Sequence, residues 1–145
     1  MAVGVIRGIG MYLLDTNVIS ELRRPKPHGA VLAWVGATDE KLLAVSAITI
    51  GEIQQGIEAA REQDDQRAQI IEAWLRQMMH STSVLPLDGP CMIEWAKLMH
   101  RRPQHLIADA MIAATAIVYG RIVVTRNVRD FEHFPVQLLN PFEAQ

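Results

Sequence analysis

Hydrophobic and polar positions along the chain fall into two alternating kinds of segment. Short apolar runs, rich in leucine and β-branched residues, read as strands: "YLLD" from Tyr12, "LLAVS" from Leu42 to Ser46, "SVLPL" from Ser83 to Leu87, "RIVVT" from Arg121 to Thr125 and "VQLLN" from Val136 to Asn140. The proline in the third run marks an edge strand, because it has no N–H to give to a ladder. Between these runs apolar residues recur at helical spacing. Val18, Ile19 and Leu22 follow the first strand in this way. Ile50, Ile53 and Ile57 mark a further helix, as do Ile70, Ile71, Trp74, Leu75 and Met78, and then Met92, Trp95, Ala96 and Met99. The stretch "LIADAMIAATAIVY" (Leu106 to Tyr119) is the longest such pattern, and Gly120 closes it as a helix stop. The charged "AAREQDDQRAQ" (Ala59 to Gln69) reads as a break or exposed turn between two helices. Strands that alternate with helices need crossover connections, so the predicted fold is α/β, with a mainly parallel central sheet of about five strands flanked by helices.

Composition narrows this picture. With 145 residues, half of them hydrophobic (50%) and 21% charged, the chain is sized for one globular domain with a real core. No repeat, low-complexity tract or interdomain linker is visible, and no apolar run approaches the roughly 18 residues of a membrane helix. The lone cysteine, Cys91, has no internal disulfide partner, which fits a reducing cytoplasm. Residues 1–10, "MAVGVIRGIG", carry too short an apolar stretch for a signal peptide. They are expected to be a flexible leader, or the product of an upstream start, with the domain running over 11–142.

A net charge of −2 argues against coating nucleic acid by bulk electrostatics. The positive charge is nevertheless clumped, in "RRPKPH" (Arg23 to His28), in "HRRPQH" (His100 to His105) and at Arg121, Arg126 and Arg129. Such clumps are either solvated surface or a local rim that contacts phosphates.

In open α/β sheets, sites form beyond the carboxyl ends of the strands. Asp15 follows the first strand there. Glu52 lies in the first turns of the helix after the second, with Ser46 placed to cap that helix. Asn127 and Asp130 follow the fourth strand, and Asp109 stands near the start of the last long helix amid apolar and small residues. Each has a plain structural alternative. Asp15 can cap the following helix, a task worth about 1 kcal/mol that Thr16 or Asn17 can also perform. Glu52 can be a solvated helix residue, and Asn127 and Asp130 can be turn residues. Asp109 is the hardest to explain structurally, since a carboxylate in apolar surroundings is costly unless paired. Clustered carboxylates also repel: two at about 5 Å in an effective dielectric of about 20 cost roughly 3 kcal/mol. Either their pKa values rise or a cation neutralises them. Oxygen-only ligation favours a hard ion, Mg²⁺ or Mn²⁺, and so a metal-dependent phosphoryl-transfer site. The histidines show no ligand spacing with cysteine. Trp34, Trp74 and Trp95 sit in helical patterns and read as core or interface anchors rather than base-stacking platforms.

The motifs "YLLDTNVISEL", "VSAITIGEIQQGI", "IADAMIAATA" and "VVTRNVRDFE", in this order and spacing, resemble the PIN-domain ribonucleases, and more narrowly the VapC toxins of toxin–antitoxin pairs, including FitB-like members. The resemblance runs from Met11 to about Phe142. It implies that Asp15, Glu52 and Asp109 are the catalytic carboxylates and hold Mg²⁺ (or Mn²⁺). The family's fourth acidic position falls on Asn127, with Asp130 nearby, and Asn17 and Thr125 match positions that shape the pocket by hydrogen bonding. The resemblance further implies an endoribonuclease that cuts RNA, often transfer RNA, and halts translation. Its expected partners are a cognate VapB-like antitoxin, the RNA substrate and a second copy in a homodimer. On this reading Arg101 and Arg102, just before the Asp109 helix, contact RNA phosphates. Other readings stay open. An aspartyl phosphatase needs a second aspartate where Asn17 stands. A non-catalytic PIN-like binding module is kept in play by Asn127, although it gives no reason to retain three mutually repelling carboxylates.

Overall fold

Residues 10–143 are described by a computed structural model of the chain; the leader expected over residues 1–10 lies outside them apart from Gly10. Strands β1 (Tyr12–Leu14), β2 (Leu43–Ser46), β3 (Ser83–Leu85), β4 (Ile122–Val124) and β5 (Leu138–Leu139) form one sheet in the order β3-β2-β1-β4-β5, and every neighbouring pair is parallel. The helices are α1 (Thr16–Leu22), α2 (Gly29–Ala37), α3 (Ala47–Arg61), α4 (Asp65–Ser81), α5 (Gly89–Met99), α6 (Ile107–Tyr119) and α7 (Val128–Phe131). The expected parallel α/β architecture is therefore observed, with the proline-terminated β3 at an edge.

Alternation along the strands divides the core. Leu13, Ala44 and Val123 point to one face and pack with Ala110, Ile112, Ala113, Phe131 and Phe134. Leu14, Val45 and Val124 point to the other, against Val18, Ile19, Ile53, Ile57 and Leu75. Each fully buried leucine or isoleucine in these layers contributes about 1.5–3 kcal/mol. Register aligns Leu14 with both Val45 and Val124, so the strands end level and their following residues share one rim.

Three local features differ from the pattern reading. The break expected over residues 59–69 shrinks to residues 62–64, because Asp64 caps α4 by accepting from the Arg67 N–H and so starts a new helix within the charged stretch. Helix α2 was visible only through the helical setting of Trp34. Its sequence, GAVLAWVGA, is apolar all round and shows no polar face to mark its ends. Helix α7 is a single turn, too short for periodicity. The tryptophans act as anchors, as expected: Trp34 meets Tyr12 edge-on at 5.0 Å, and the Trp95 indole donates to the Ile107 carbonyl at 3.2 Å, tying α5 to the start of α6.

Candidate active site

Asp15 leaves β1 with its N–H still donating to the Val124 carbonyl at 2.9 Å, so the ladder holds its backbone. Its side chain does both jobs the sequence allowed. Oδ1 accepts from the Thr16 N–H at 2.8 Å, capping α1, while Oδ2 accepts from the Thr125 hydroxyl at 2.8 Å and from the Asn17 amide at 3.0 Å. Asp15 is only 5% exposed. Burial pushes its pKa up, the bonds from Thr125 and Thr16 hold it back, and the charges of Glu52 and Asp130 raise it again.

Thr125 and Asn17 lock this carboxylate in place. The buried Thr125 hydroxyl also accepts from the Asn17 amide at 3.2 Å and from the Asn127 N–H at 2.9 Å. The Asn17 carbonyl oxygen in turn accepts from the Arg126 N–H at 3.2 Å. These bonds join the α1 start to the β4 exit across more than a hundred residues of sequence. The Asn127 side chain makes no capping bond to α7 and stays exposed at that exit.

Glu52 enters from α3, whose start is capped by the Ser46 hydroxyl accepting from the Ile48 N–H. Its carboxylate accepts from the Thr16 hydroxyl at 2.6 Å, and that hydroxyl lies 3.1 Å from Thr49 Oγ1. Thr16 entered the sequence reading only as a possible cap, and Thr49 did not enter it. The signals were present, since Thr16 follows Asp15 directly and Thr49 stands three residues before Glu52 on the same helix face.

Asp109 is the third residue of α6, half-buried, and among the described residues no hydrogen-bond donor meets its carboxylate. Burial, then the charges of Asp15, Asp130 and Glu52, push its pKa up to about 7. A helix N-terminus favours a carboxylate by about 0.3–1 kcal/mol; here desolvation and like charges outweigh it.

The structure thus brings Asp15, Glu52, Asp109 and Asp130 into one field of mutually repelling charge. It does not draw them into a ready-made cage, for among the described residues no three acidic, His or Cys side chains are grouped to hold a metal ion. Glu52 is turned onto Thr16 instead. The donor set still suits a hard cation: it is all oxygen, and among the described residues no positive charge offsets that of Asp109.

Arg102 is placed differently from the expectation of a phosphate contact. Its guanidinium donates to the Leu98 carbonyl at 2.8 Å and the His133 carbonyl at 2.9 Å and lies over the Phe134 ring at 5.0 Å, which commits it to holding the end of α5. Arg101 is exposed, on a left-handed turn at φ 62°.

Comparisons with known proteins identify the family. The family model described as PIN domain matches residues 12–136. The plasmid stability protein StbB of Pseudomonas syringae pv. tomato is 38% identical over 141 residues, spanning 92% of this chain and 100% of that protein. The VapC ribonuclease Y4jK of Sinorhizobium fredii is 37% identical over 139 residues, with 92% and 99% covered. The toxin FitB of Neisseria gonorrhoeae is 32% identical over 139 residues, with 91% and 99% covered. The crystal structure of FitAcB from Neisseria gonorrhoeae superposes with a TM-score of 0.81 at 32% identity, covering 92% of this chain and 99% of that one. The chain belongs to the PIN-domain family.

Proposed function

We propose that this chain is the toxin of a toxin–antitoxin pair and acts as a Mg²⁺-dependent endoribonuclease, with Mn²⁺ as a substitute ion. The family membership and the names of the relatives support the toxin and ribonuclease reading. The observation that carries the chemistry is Asp109, a half-buried carboxylate crowded by Asp15, Asp130 and Glu52 and met by no donor among the described residues.

Asp15 and Asp109 would hold the ion, with Glu52 and the exposed Asn127 and Asp130 at its edge; when bound, it would supply a low-pKa water and offset charge at the phosphorus. The chain's own contribution is positioning. Thr125, Asn17 and the Thr16 N–H fix Asp15 so that one carboxylate orientation is held before substrate arrives. Thr16 does the same for Glu52. The crowded charge at Asp109 gives the site affinity for a cation and for a positively charged group of a partner.

A cognate VapB-like antitoxin is the proposed partner, supported by the likeness to toxin–antitoxin complexes. A homodimer is the proposed assembly and the cytoplasm the proposed location; no helix among the described residues is long and apolar enough to cross a membrane. Transfer RNA as target, and arrest of translation as outcome, follow from the same reading.

The deciding experiment is cleavage of total cellular RNA by the purified chain in Mg²⁺, in EDTA, and with Asp109→Ala. Cleavage that needs the ion and is lost in the variant is the expected result. A folded, antitoxin-free chain that cuts no RNA in Mg²⁺ or Mn²⁺ rejects the nuclease reading in favour of a non-catalytic binding module.

A further inference from the structure

An acidic centre repels the polyanion it is meant to cut, so cations must meet the strand on its way in. Arginines make the best candidates, but many here are already engaged. Arg24 pairs with Glu21; Arg61 with Glu58, Asp65 and Glu72; Arg76 with Glu72. Arg102 and Arg121 donate to backbone carbonyls. By contrast the guanidinium groups of Arg23, Arg67, Arg126 and Arg129, like that of Arg101 on its turn before α6, are exposed and donate to no described residue.

The first four of these fall into two clefts, each sharing residues with the acidic centre. Arg23, at the end of α1, and Arg67, in the first turn of α4, line a cleft with Thr16 and Glu52. Arg126 and Arg129 line another with Asn127, Asp130, Asn140 and the carboxylate of Glu143. The first cleft is walled by α1, α3 and α4 and the second by the β4 exit and α7, and β1, which ends at Asp15, lies between β2 and β4 in the sheet. Arg126 is also set in place: its N–H is held by Asn17, and its guanidinium stacks on the Phe142 ring at 4.5 Å, leaving its edge free to fork onto a phosphate. The charge of Arg126 also reaches Glu21, but that carboxylate has its own partners in Arg24 and the His28 N–H.

We propose that a single RNA strand crosses the acidic centre from one arginine cleft to the other, held through its phosphates by Arg23 and Arg67 upstream or downstream of the cut and by Arg126 and Arg129 on the opposite side. The proposal rests on the endoribonuclease reading above and specifies how that site takes its substrate.

The test is the salt dependence of binding of a labelled, unstructured RNA oligonucleotide to the full chain in EDTA, run beside cleavage by the unaltered chain in Mg²⁺. Losing two phosphate contacts reduces the slope of log K against log salt by about 1.4 for a single strand. Arg23→Ala with Arg67→Ala, and separately Arg126→Ala with Arg129→Ala, are each expected to produce that reduction. The matching lysine pairs keep most of the slope, and Arg76→Ala, outside both clefts, leaves it unchanged. If the unaltered chain cleaves RNA but either alanine pair keeps the full slope, the two-sided path is wrong and the nuclease reading survives. Should the unaltered chain neither bind nor cleave RNA, both fall together. Alanine pairs that keep the RNA slope but loosen the antitoxin would assign the clefts to the protein partner and overturn the proposal.

Discussion

Two aspartates of similar chemistry meet opposite treatment in this site. Asp15 is nearly inaccessible yet receives three hydrogen bonds, from the Thr16 N–H, Asn17 and Thr125; Asp109 is more exposed yet receives none from a described residue. Asp109 therefore carries the cost of the crowding, and the pH dependence of that cost can be derived. Its pKa is about 7 in the folded chain against an ordinary 3.8. Between these values the folded chain keeps a proton that the unfolded chain has released. This contribution to stability is complete below pH about 4 and is lost as pH rises through about 7. Asp109→Asn has no such slope. The variant is expected to match the parent's thermal stability at pH 4 and to exceed it increasingly up to pH 8. A stability difference that stays flat across this range would remove the electrostatic account of Asp109. The raised pKa of Asp15 has the same sign and steepens the parent's decline. From sequence, Asp109 stood out because apolar neighbours make any carboxylate expensive. Thr16 and Thr49 did not, because a threonine in a helix looks the same whether or not its hydroxyl holds a glutamate.

At the level of elements, the site depends on where helices start and stop. Helix α6 presents Asp109 in its first turn, and its far end is closed by Gly120, which sits in the left-handed region at φ +65°. From that position its N–H meets the Ala116 and Ile117 carbonyls. A β-carbon added there meets nothing within 4 Å, so the cost of Gly120→Ala is purely conformational. It is expected to be about 1–2 kcal/mol, read as a lower urea midpoint with an unchanged m-value. A loss well beyond that range would mean that Gly120 has a packing role the structure does not contain. Gly120 was legible as a stop because glycine alone tolerates that geometry cheaply. The same logic bears on the other helix ends. Residues 59–69 read as a break between two helices, and the break is there but short, because Asp64 caps α4 and Arg61 bridges Glu58, Asp65 and Glu72, which supports helix on both sides of it. Helix α2 lacks a polar face, so nothing in its pattern marked its limits.

For the whole molecule, the parallel sheet gathers charge from the start, middle and end of the chain at a single rim and leaves a net repulsion there. A divalent cation that binds the folded chain alone stabilises it by RT ln(1 + c/Kd) at free ion concentration c, more the tighter it binds. Adding Mg²⁺ is expected to raise the Tm, and more at pH 8 than at pH 5, because protonation of Asp109 near pH 7 competes with the ion. An equal Tm shift at both pH values, or one that persists in Asp109→Asn, would place the binding elsewhere. The sequence by itself determined the alternation of strands and helices, the parallel sheet with β3 at its edge, and the placement of Asp15 at a strand exit and of Glu52 and Asp109 in the early turns of helices. Those follow from local hydrophobic period and chain connectivity. Only the tertiary structure decided that Asp15 is held by Thr125 and Asn17, that Glu52 turns onto Thr16, that Arg102 is tied into the fold, and that arginines without a donor bond to any described residue line clefts shared with Glu52 and with Asp130. These outcomes depend on which donors from distant segments reach each carboxylate first, and strand register and helix packing set that distance.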